Sequence, residues 1–255
     1  LIDEIHIRSD NMGKMHMDSI NKNIDDIIVL SKHVSSSEVP AMTVHPIGVP
    51  TGQEIGEDGR SGGVYGTLVP PNPRMALFLR AIVQKGSLEP NLSKFDLTLE
   101  ATHHGPVMSL PTMYVEIGSS EKEWTDSKLA SIWAEIIIEN LSSKAPDPNE
   151  RWMLCIGGGN YAPRHRDILI RSNELVGHIL PSYSLPDVDE EASLNNFEKI
   201  LRAAILSMRA ARPNAQVIAH LDRKSMNSDF RRYITAKLGT FDVDVVRGKQ
   251  LLAIE

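Results

Sequence analysis

The chain has 255 residues, enough to bury a substantial core in one large domain or two small ones. It is 41% hydrophobic and 24% charged with a net charge of −6, a balance that is ordinary for a globular protein and argues against broad nonspecific nucleic-acid binding. No apolar run approaches the roughly 18 residues that span a bilayer, and the lone cysteine, Cys155, rules out an internal disulfide and fits a reducing compartment.

Apolar periodicity and turn residues divide the chain into strands and helices. In chain order the predicted elements are a strand (26–31), a long Gly- and Pro-rich loop (49–66), a helix (73–84), two strands (95–101 and 113–117), a helix (121–141), a linker (145–150), a strand (152–156), two helices (164–173 and 194–211), a strand (215–221), a helix (228–238) and a closing strand (243–246). Gly86 suits the stop of the first helix, and Ser120 with Glu123 resembles a capping signal for the second. This alternation predicts an α/β fold with a mainly parallel central sheet flanked by helices.

Several polar turns follow or end predicted strands. They contain His33, the doublet His103-His104, Glu116 and the glycines at 157–159. Ligands of open α/β sheets gather outside the carboxyl ends of the strands. We therefore expect these turns to converge on one face of the molecule.

The doublet His103-His104 carries the strongest local signal. Imidazole is the commonest protein metal ligand and transfers protons near neutral pH. Successive side chains of a strand point to opposite faces, so both rings reach one site only if the chain turns, as Gly105-Pro106 permits. We expect one ring to act as ligand or base and the other to support it. The spacing is also compatible with two hydrogen-bonded loop histidines that have no catalytic role.

A metal site would have to combine distant segments, because the sequence has no short-spaced zinc motif such as His-Glu-x-x-His. Catalytic zinc often has three protein ligands and an open position. The candidate ligands are His33, His45, His103, His104 and Glu116. His33 or His45 taken alone is equally compatible with a loop histidine that binds nothing.

The run Gly157-Gly158-Gly159 follows a predicted strand. Its glycines permit positive φ, and free amides there with Arg164 nearby would suit a phosphate or a ribose. A tight strand-to-helix turn fits as well. His178 lies just before Pro181, and we expect it to be a loop histidine that hydrogen-bonds to nearby carbonyls. Asp222 and Lys224 are compatible either with a surface ion pair or with contacts to a ligand.

Residues 100–106 followed by 115–124 closely resemble the archaeal and plant-type D-aminoacyl-tRNA deacylases. Further segments agree with that family in the same order, at residues 31–36, 40–45, 157–164, 177–181 and 222–224. The resemblance covers roughly Asp26 to the C-terminus, and we expect residues 1–255 to form a single deacylase-like domain. Residues 1–25 match poorly, and because the chain opens with Leu we expect this N-terminal segment to be incomplete.

The resemblance implies a hydrolase of translation quality control. Its reaction would be the metal-assisted hydrolysis, with zinc as the usual metal, of the ester that joins a D-amino acid such as D-tyrosine to the 3′ end of tRNA. It implies a fold related to peptidyl-tRNA hydrolases and nucleoside phosphorylases, a cytoplasmic location, and neither a membrane nor a DNA partner. It leaves the oligomeric state open.

The resemblance also assigns residues to roles. The expected metal ligands are His33, His45 and His104. The expected catalytic residues are His103, His104 and Glu116, the last for proton transfer or for support of the metal. The expected substrate-binding residues are Gly157, Gly158, Gly159, Asn160, Tyr161, Arg164, His178, Asp222 and Lys224.

Two departures from the family pattern keep alternatives open. Asn160 stands where the family has histidine, and Asn is a poor zinc ligand. Val49 stands where the family has asparagine, which removes a polar contact. A non-catalytic or weakly active homologue that binds metal or RNA ends is therefore one alternative, and a peptidyl-tRNA-like or nucleoside-directed hydrolase is another.

Overall fold

Short apolar runs and longer amphipathic segments give this chain its alternating strands and helices. A computed structural model describes residues 24–51, 60–142, 146–147 and 150–252. The strands in these residues are β1 (Ile27–Val34), β2 (Ala41–His45), β3 (Asp96–Leu99), β4 (Thr112–Ser119), β5 (Trp152–Ile156), β6 (Leu175–Leu180), β7 (Val217–Leu221) and β8 (Asp244–Val246). The α-helices are α1 (Met75–Leu88), α2 (Glu121–Trp124), α3 (Ser127–Ser142), α4 (Pro163–Ile170), α5 (Glu191–Ala211), α6 (Ser228–Gly239) and α7 (Gly248–Leu251).

The predicted α/β class is confirmed, with the strands divided between two four-stranded sheets. The first sheet has the order β1-β4-β2-β3, in which only the central β4–β2 pair is antiparallel. The second sheet has the order β6-β5-β7-β8 and is parallel throughout. The backbone after β3 joins the two sheets, because the N–H of Ala101 donates to Asn160 O at 2.7 Å and that of Thr102 donates to Ile179 O at 2.9 Å.

One continuous cluster of buried apolar side chains lies between the sheets and their helices. It includes Phe78 of α1, Trp133 of α3 and Trp152 of β5. The indole N–H of Trp133 also donates to the carbonyl of Glu116 at 3.1 Å, which ties α3 to the centre of the first sheet. We propose from this shared core that the chain forms one domain. Among the described residues, no helix has both the length and the apolar character needed to cross a membrane.

Several predicted boundaries were wrong. The predicted helix 121–141 is two helices, α2 and α3, although Glu123 does accept hydrogen bonds from the backbone and hydroxyl of Ser120, at 2.9 and 2.7 Å. His33 lies inside β1 rather than beyond it, and His178 lies in the strand β6 rather than in a loop. The loop at 49–66 and the linker at 145–150 fall partly outside the described residues.

The predicted stop at Gly86 was also wrong, because α1 continues to Leu88 and is capped by Glu89, the residue before Pro90. Gly86 has a packing role instead. A Cβ at this position would collide with the side chain of Leu97 in β3. Glycine therefore lets the helix approach the sheet.

Gly86→Ala is expected to destabilise the protein by about 1–3 kcal/mol through overpacking, although helix propensity alone would favour alanine by about 1 kcal/mol. Gly239→Ala is the matched control, because it also lies in a helix and nothing lies within 4 Å of its Cβ position. Urea denaturation should show a lower midpoint for Gly86→Ala and an equal or higher one for Gly239→Ala. Equal midpoints for the two variants would contradict the packing role.

Candidate active site

Three histidine rings meet at the ends of β2 and β3. His45 closes β2, and His103 and His104 follow β3, where a bridge between Ile47 and His103 holds the two segments side by side. The ring centroids of His45 lie 4.2 Å from His103 and 5.0 Å from His104, and those of the doublet lie 4.5 Å apart. His104 has a φ of 42°, so the chain turns there and both rings of the doublet stay on one side. We call these three residues the histidine cluster.

The hydrogen bonds of the histidine cluster leave the same ring nitrogen available in each residue. The Nδ1 of His45 lies 3.2 Å from Pro46 O, that of His103 lies 2.8 Å from Ala101 O, and that of His104 lies 2.6 Å from Gly105 O. A carbonyl only accepts, so each Nδ1 carries the proton and each neutral ring keeps its lone pair on Nε2. The buried Nε2 of His45 has no hydrogen-bond partner among the described residues.

The cluster therefore offers three nitrogen donors to one ligand. One ligand nitrogen from each ring lies within 4.8 Å of the others. Burial lowers the pKa of His103 to about 4 and that of His104 to about 3, which keeps both rings neutral near pH 7. Burial also opposes the charged form of His45, but the carboxylate of Glu116 outweighs it and raises the pKa of that ring.

A second group lies beside the cluster and consists of His33, Glu100 and Glu116. The Nδ1 of His33 lies 3.1 Å from Glu100 Oε1 and 3.4 Å from Glu116 Oε2. Burial disfavours the imidazolium, yet these two contacts outweigh it and raise the pKa of His33 to about 11. Burial likewise disfavours the two carboxylates, but the contact with His33 lowers both of their pKa values. This His33–glutamate group therefore carries two negative charges and one positive charge near neutral pH.

Glu116 links the two groups because of its place in the first sheet. It lies on β4, which runs between β1 with His33 and β2 with His45. Its Oε1 lies 3.6 Å from His45 Nε2, beyond hydrogen-bond range, while its Oε2 contacts His33. This strand order separates His33 from the cluster. The side chains that could hold a metal ion form two groups, the histidine cluster and the His33–glutamate group. The predicted ligand set of His33, His45 and His104 is divided between these groups and stays a prediction.

Sequence reasoning missed Glu100 and Tyr114. Glu100 ends the apolar run before the doublet, and that position was its only local signal. The ring of Tyr114 stacks on His45 at 5.1 Å and meets the edge of His104 at 4.9 Å. Neighbouring strands, rather than the local sequence, bring these residues to the site.

Asn160 and Tyr161 reach the His33–glutamate group from the second sheet. The Nδ2 of Asn160 donates to Glu100 Oε2 at 2.9 Å, and its Oδ1 accepts from the hydroxyl of Tyr183 at 3.3 Å. The Nε2 of His33 hydrogen-bonds to the hydroxyl of Tyr161 at 2.9 Å. Asn160 is thus a hydrogen-bonding residue and lies outside the histidine cluster.

The glycine turn has fewer free amides than we expected. The N–H of Gly157 donates to Leu180 O at 2.7 Å, and that of Gly158 donates to Ser225 Oγ at 2.9 Å, so neither is available to a ligand. Both residues have positive φ, 94° and 86°, which suits glycine. Gly159 is exposed and has nothing within 4 Å of its Cβ position.

The remaining predicted substrate residues divide into two kinds. Arg164 pairs with Asp222, with Nε and Oδ1 3.1 Å apart, while Lys224 is exposed and reaches Asp222 only through its backbone N–H. His178, a predicted substrate contact, is fully buried, so its role in substrate binding stays a prediction. Its nitrogens hydrogen-bond to the hydroxyls of Thr102 and Ser207 at 3.1 and 2.9 Å, so it supports the segment that carries the doublet.

Comparison with known proteins gives a consistent result. A family model described as D-aminoacyl-tRNA deacylase matches residues 20–246. A D-aminoacyl-tRNA deacylase of Arabidopsis thaliana is 33% identical over 257 residues, which cover 94% of this chain and 81% of that protein. One from Methanosarcina mazei is 32% identical over 251 residues, covering 98% and 76%. The crystal structure of AF0625, a conserved protein of unknown function, matches with a TM-score of 0.74 at 26% identity, covering 91% of this chain and 75% of that one.

The family model spans most of the chain, and the plant and archaeal relatives span most of it as well. These matches confirm the resemblance drawn from the doublet and the ordered segments around it. The chain belongs to the D-aminoacyl-tRNA deacylase family, a family of ester hydrolases.

Proposed function

We propose that this protein hydrolyses the ester bond between a D-amino acid, such as D-tyrosine, and the 3′ end of tRNA, with Zn²⁺ held by the histidine cluster. The observation that carries the proposal is the convergence of His45, His103 and His104, each with Nδ1 bonded to a carbonyl and Nε2 left for a ligand. The activity would return mischarged tRNA to translation in the cytoplasm.

The residues of the cluster fit zinc. Three imidazoles are a common ligand set of catalytic zinc and leave one coordination position open. His45, whose pKa is raised by Glu116, would give up its Nε2 proton when the metal binds. Backbone carbonyls that accept from Nδ1–H fix the ring tautomer and orientation that a metal requires. A bound zinc ion supplies Lewis-acid polarisation of a carbonyl and lowers the pKa of water toward about 7.

The carboxylate of Glu116 is the proton acceptor next to this cluster. Its Oε1 lies 3.6 Å from His45 Nε2, so it faces the place where an ester and a water molecule would meet. The imidazolium of His33 keeps Glu116 and Glu100 ionised, the form in which a carboxylate can accept a proton. Glu116 would take the proton of the attacking water at Oε1 and pass it to the ribose oxygen that leaves.

The substrate would approach along the edge formed by Gly159, Asn160, Tyr161 and Arg164. Gly159 and the side chain of Arg164 are exposed, with 44% of the Arg164 side chain accessible. A guanidinium suits the phosphate of a terminal nucleotide. The Asn160 amide lies next to Glu100, which would bring the ribose of the terminal adenosine close to the acid–base residues.

Turnover of D-tyrosyl-tRNA, compared with L-tyrosyl-tRNA and N-acetylated aminoacyl-tRNA, tests the proposal. We expect hydrolysis of the D-ester alone, loss of activity on removal of zinc with a chelator, and recovery when zinc is added. Metal analysis should give bound zinc in the active protein. Binding of tRNA without turnover, equal rates on D- and L-esters, or full activity without metal would each contradict the proposal.

A further inference from the structure

A cavity of about 360 Å³ opens at the carboxyl ends of β7 and β8, away from the histidine cluster. Its polar lining comes from Arg223 after β7, Arg247 after β8, His220 of β7 and Thr235 of α6, and apolar residues of the two strands complete its walls. We call it the basic cavity. Its volume lies in the range of small-molecule sites, which run from about 300 to 1,000 Å³.

The charge of the basic cavity is positive. Arg223 and Arg247 are exposed, and within the described ranges neither takes part in an ion pair. No acidic residue is found among the described residues that line it. The carboxylate nearest in sequence, Asp222, is already paired with Arg164. Two unpaired guanidinium groups at one opening are suited to a phosphate, which arginine binds through paired N–H donors.

His220 adds a hydrogen-bond acceptor to this positive site. The Nε2 of His165 lies 3.2 Å from the carbonyl of Gly157 and must carry a proton, because a carbonyl only accepts. Burial lowers the pKa values of His165 and His220 to about 3 and about 4, so both rings are neutral. The two Nδ1 atoms lie 3.0 Å apart, so that of His220 donates and that of His165 accepts.

The lone pair of His220 is therefore on Nε2. That atom lies 3.7 Å from the position of a Cβ on Gly248, a residue that lines the basic cavity. It can accept a hydrogen bond from a ribose hydroxyl or an amino group of a base. The cavity thus combines arginine N–H groups that can donate to a phosphate, a neutral imidazole that can accept a hydrogen bond, and apolar walls. This combination matches a nucleotide better than a simple anion.

The basic cavity lies on the same edge of the fold as the candidate active site. Residues 101–102, which precede the doublet, lie beside β6, and the next strands of the second sheet are β5 and then β7. Three inter-strand steps of about 4.8 Å give about 14 Å. A fully stacked strand rises about 3.4 Å per nucleotide, so the three steps within a four-nucleotide end cover about 10 Å when stacked and reach this distance when the strand is extended. Asp222, which follows β7 and pairs with Arg164, has its Oδ2 3.6 Å from the Cβ position of Gly158 in the glycine turn after β5.

We propose that the basic cavity binds an upstream nucleotide of the single-stranded 3′ end of tRNA, with Arg223 and Arg247 on its phosphate and His220 on its sugar or base. The inference rests on the proposed function, since it assumes that the terminal adenosine occupies the histidine site. Binding there would give the protein a second contact with the single strand and would need no basic surface for the tRNA duplex. A protein without such a surface can have a negative net charge, here −6.

Binding of the oligonucleotide ACCA, measured by calorimetry and compared with AMP, tests this proposal. For the double variant Arg223→Ala/Arg247→Ala we expect ACCA to bind about 10- to 100-fold more weakly and AMP to bind as in the wild type. The slope of log affinity against log salt should fall by about 0.7 for each phosphate that the variant no longer neutralises. With D-tyrosyl-tRNA, KM should rise while kcat stays unchanged.

Arg232→Ala is the matched control, since Arg232 is an exposed arginine of α6 that pairs with Asp229 at 2.6 Å. It removes one positive charge outside the basic cavity, against two removed inside it by the double variant, and should bind ACCA like the wild type. The double lysine variant keeps the charge and should retain most of the affinity, which separates recognition from folding.

Equal ACCA binding by the double alanine variant and Arg232→Ala would overturn the proposal. An equal loss of AMP and ACCA binding would also overturn it, because the cavity would then be a mononucleotide site. These measurements need no turnover. If deacylation of D-tyrosyl-tRNA is not observed, the proposed function fails, while the ACCA data still decide whether the cavity holds a strand.

Discussion

His104→Ala is expected to lower the turnover of D-aminoacyl-tRNA about 10³-fold and to remove bound zinc. The variant takes away one of three nitrogen donors that lie within 4.8 Å of one another. Lewis-acid assistance is worth several kcal/mol, and about 4 kcal/mol corresponds to a 10³-fold rate. Zinc content by mass spectrometry and single-turnover rates provide the two measurements.

His103→Ala should behave like His104→Ala, because the two rings hold equivalent places in the histidine cluster. Arg232→Ala controls for a surface substitution far from these rings, and circular dichroism checks that each variant is folded. A His104→Ala protein that hydrolyses the D-ester at the wild-type rate, with or without zinc, would remove the cluster from the mechanism.

Glu116→Gln is expected to lower kcat about 10²- to 10³-fold while zinc remains bound. General acid–base catalysis contributes about 10²- to 10⁴-fold, and the amide cannot accept the proton that the carboxylate takes. The substitution keeps the size of the side chain and all three ligand histidines. It differs from His104→Ala in that activity falls while the metal stays in place.

Three measurements decide the role of Glu116. Zinc content, kcat and KM for D-tyrosyl-tRNA should show an intact metal site, a reduced kcat and a nearly unchanged KM. Glu100→Gln is the comparison, since Glu100 contacts the same Nδ1 of His33 but is bonded to Asn160, and its Oε2 lies 4.0 Å from His103 Nε2. We expect it to have the smaller effect. A Glu116→Gln enzyme within threefold of the wild type would exclude this carboxylate as the base.

Local patterns predicted the elements whose partners are near in the sequence. The strand Trp152–Ile156 has the predicted bounds, since a short apolar run between a linker and glycines allows few alternatives. Strand β6 was missed because a histidine just before Pro181 suggested a loop. A Cβ at Gly177 would collide with Met208 of α5, so this glycine allows helix and sheet to pack closely.

The candidate site was predicted in part, because some of its residues carry local sequence signals. His45 and the doublet carry their own turn signals, and the resemblance placed them in order along the chain. The separation of His33 from them depends on β4 running between β1 and β2, and no local pattern encodes that order. The basic cavity combines His220 with Arg247, two residues on different strands, and is visible only in three dimensions.

The contacts of Asn160 with Glu100 and of Tyr161 with His33 join residues that are 60 and 128 positions apart. They cross from the second sheet to the first, so the proposed acid–base residues and their hydrogen-bond partners meet where the two sheets join. Neither half of the polypeptide holds all of them. A nascent chain released before β5 would contain all three cluster histidines and both glutamates, yet it would lack the polar groups that fix His33 and Glu100 in place. The hydrogen bonds that hold His33 and Glu100 therefore form only when the two sheets are in contact.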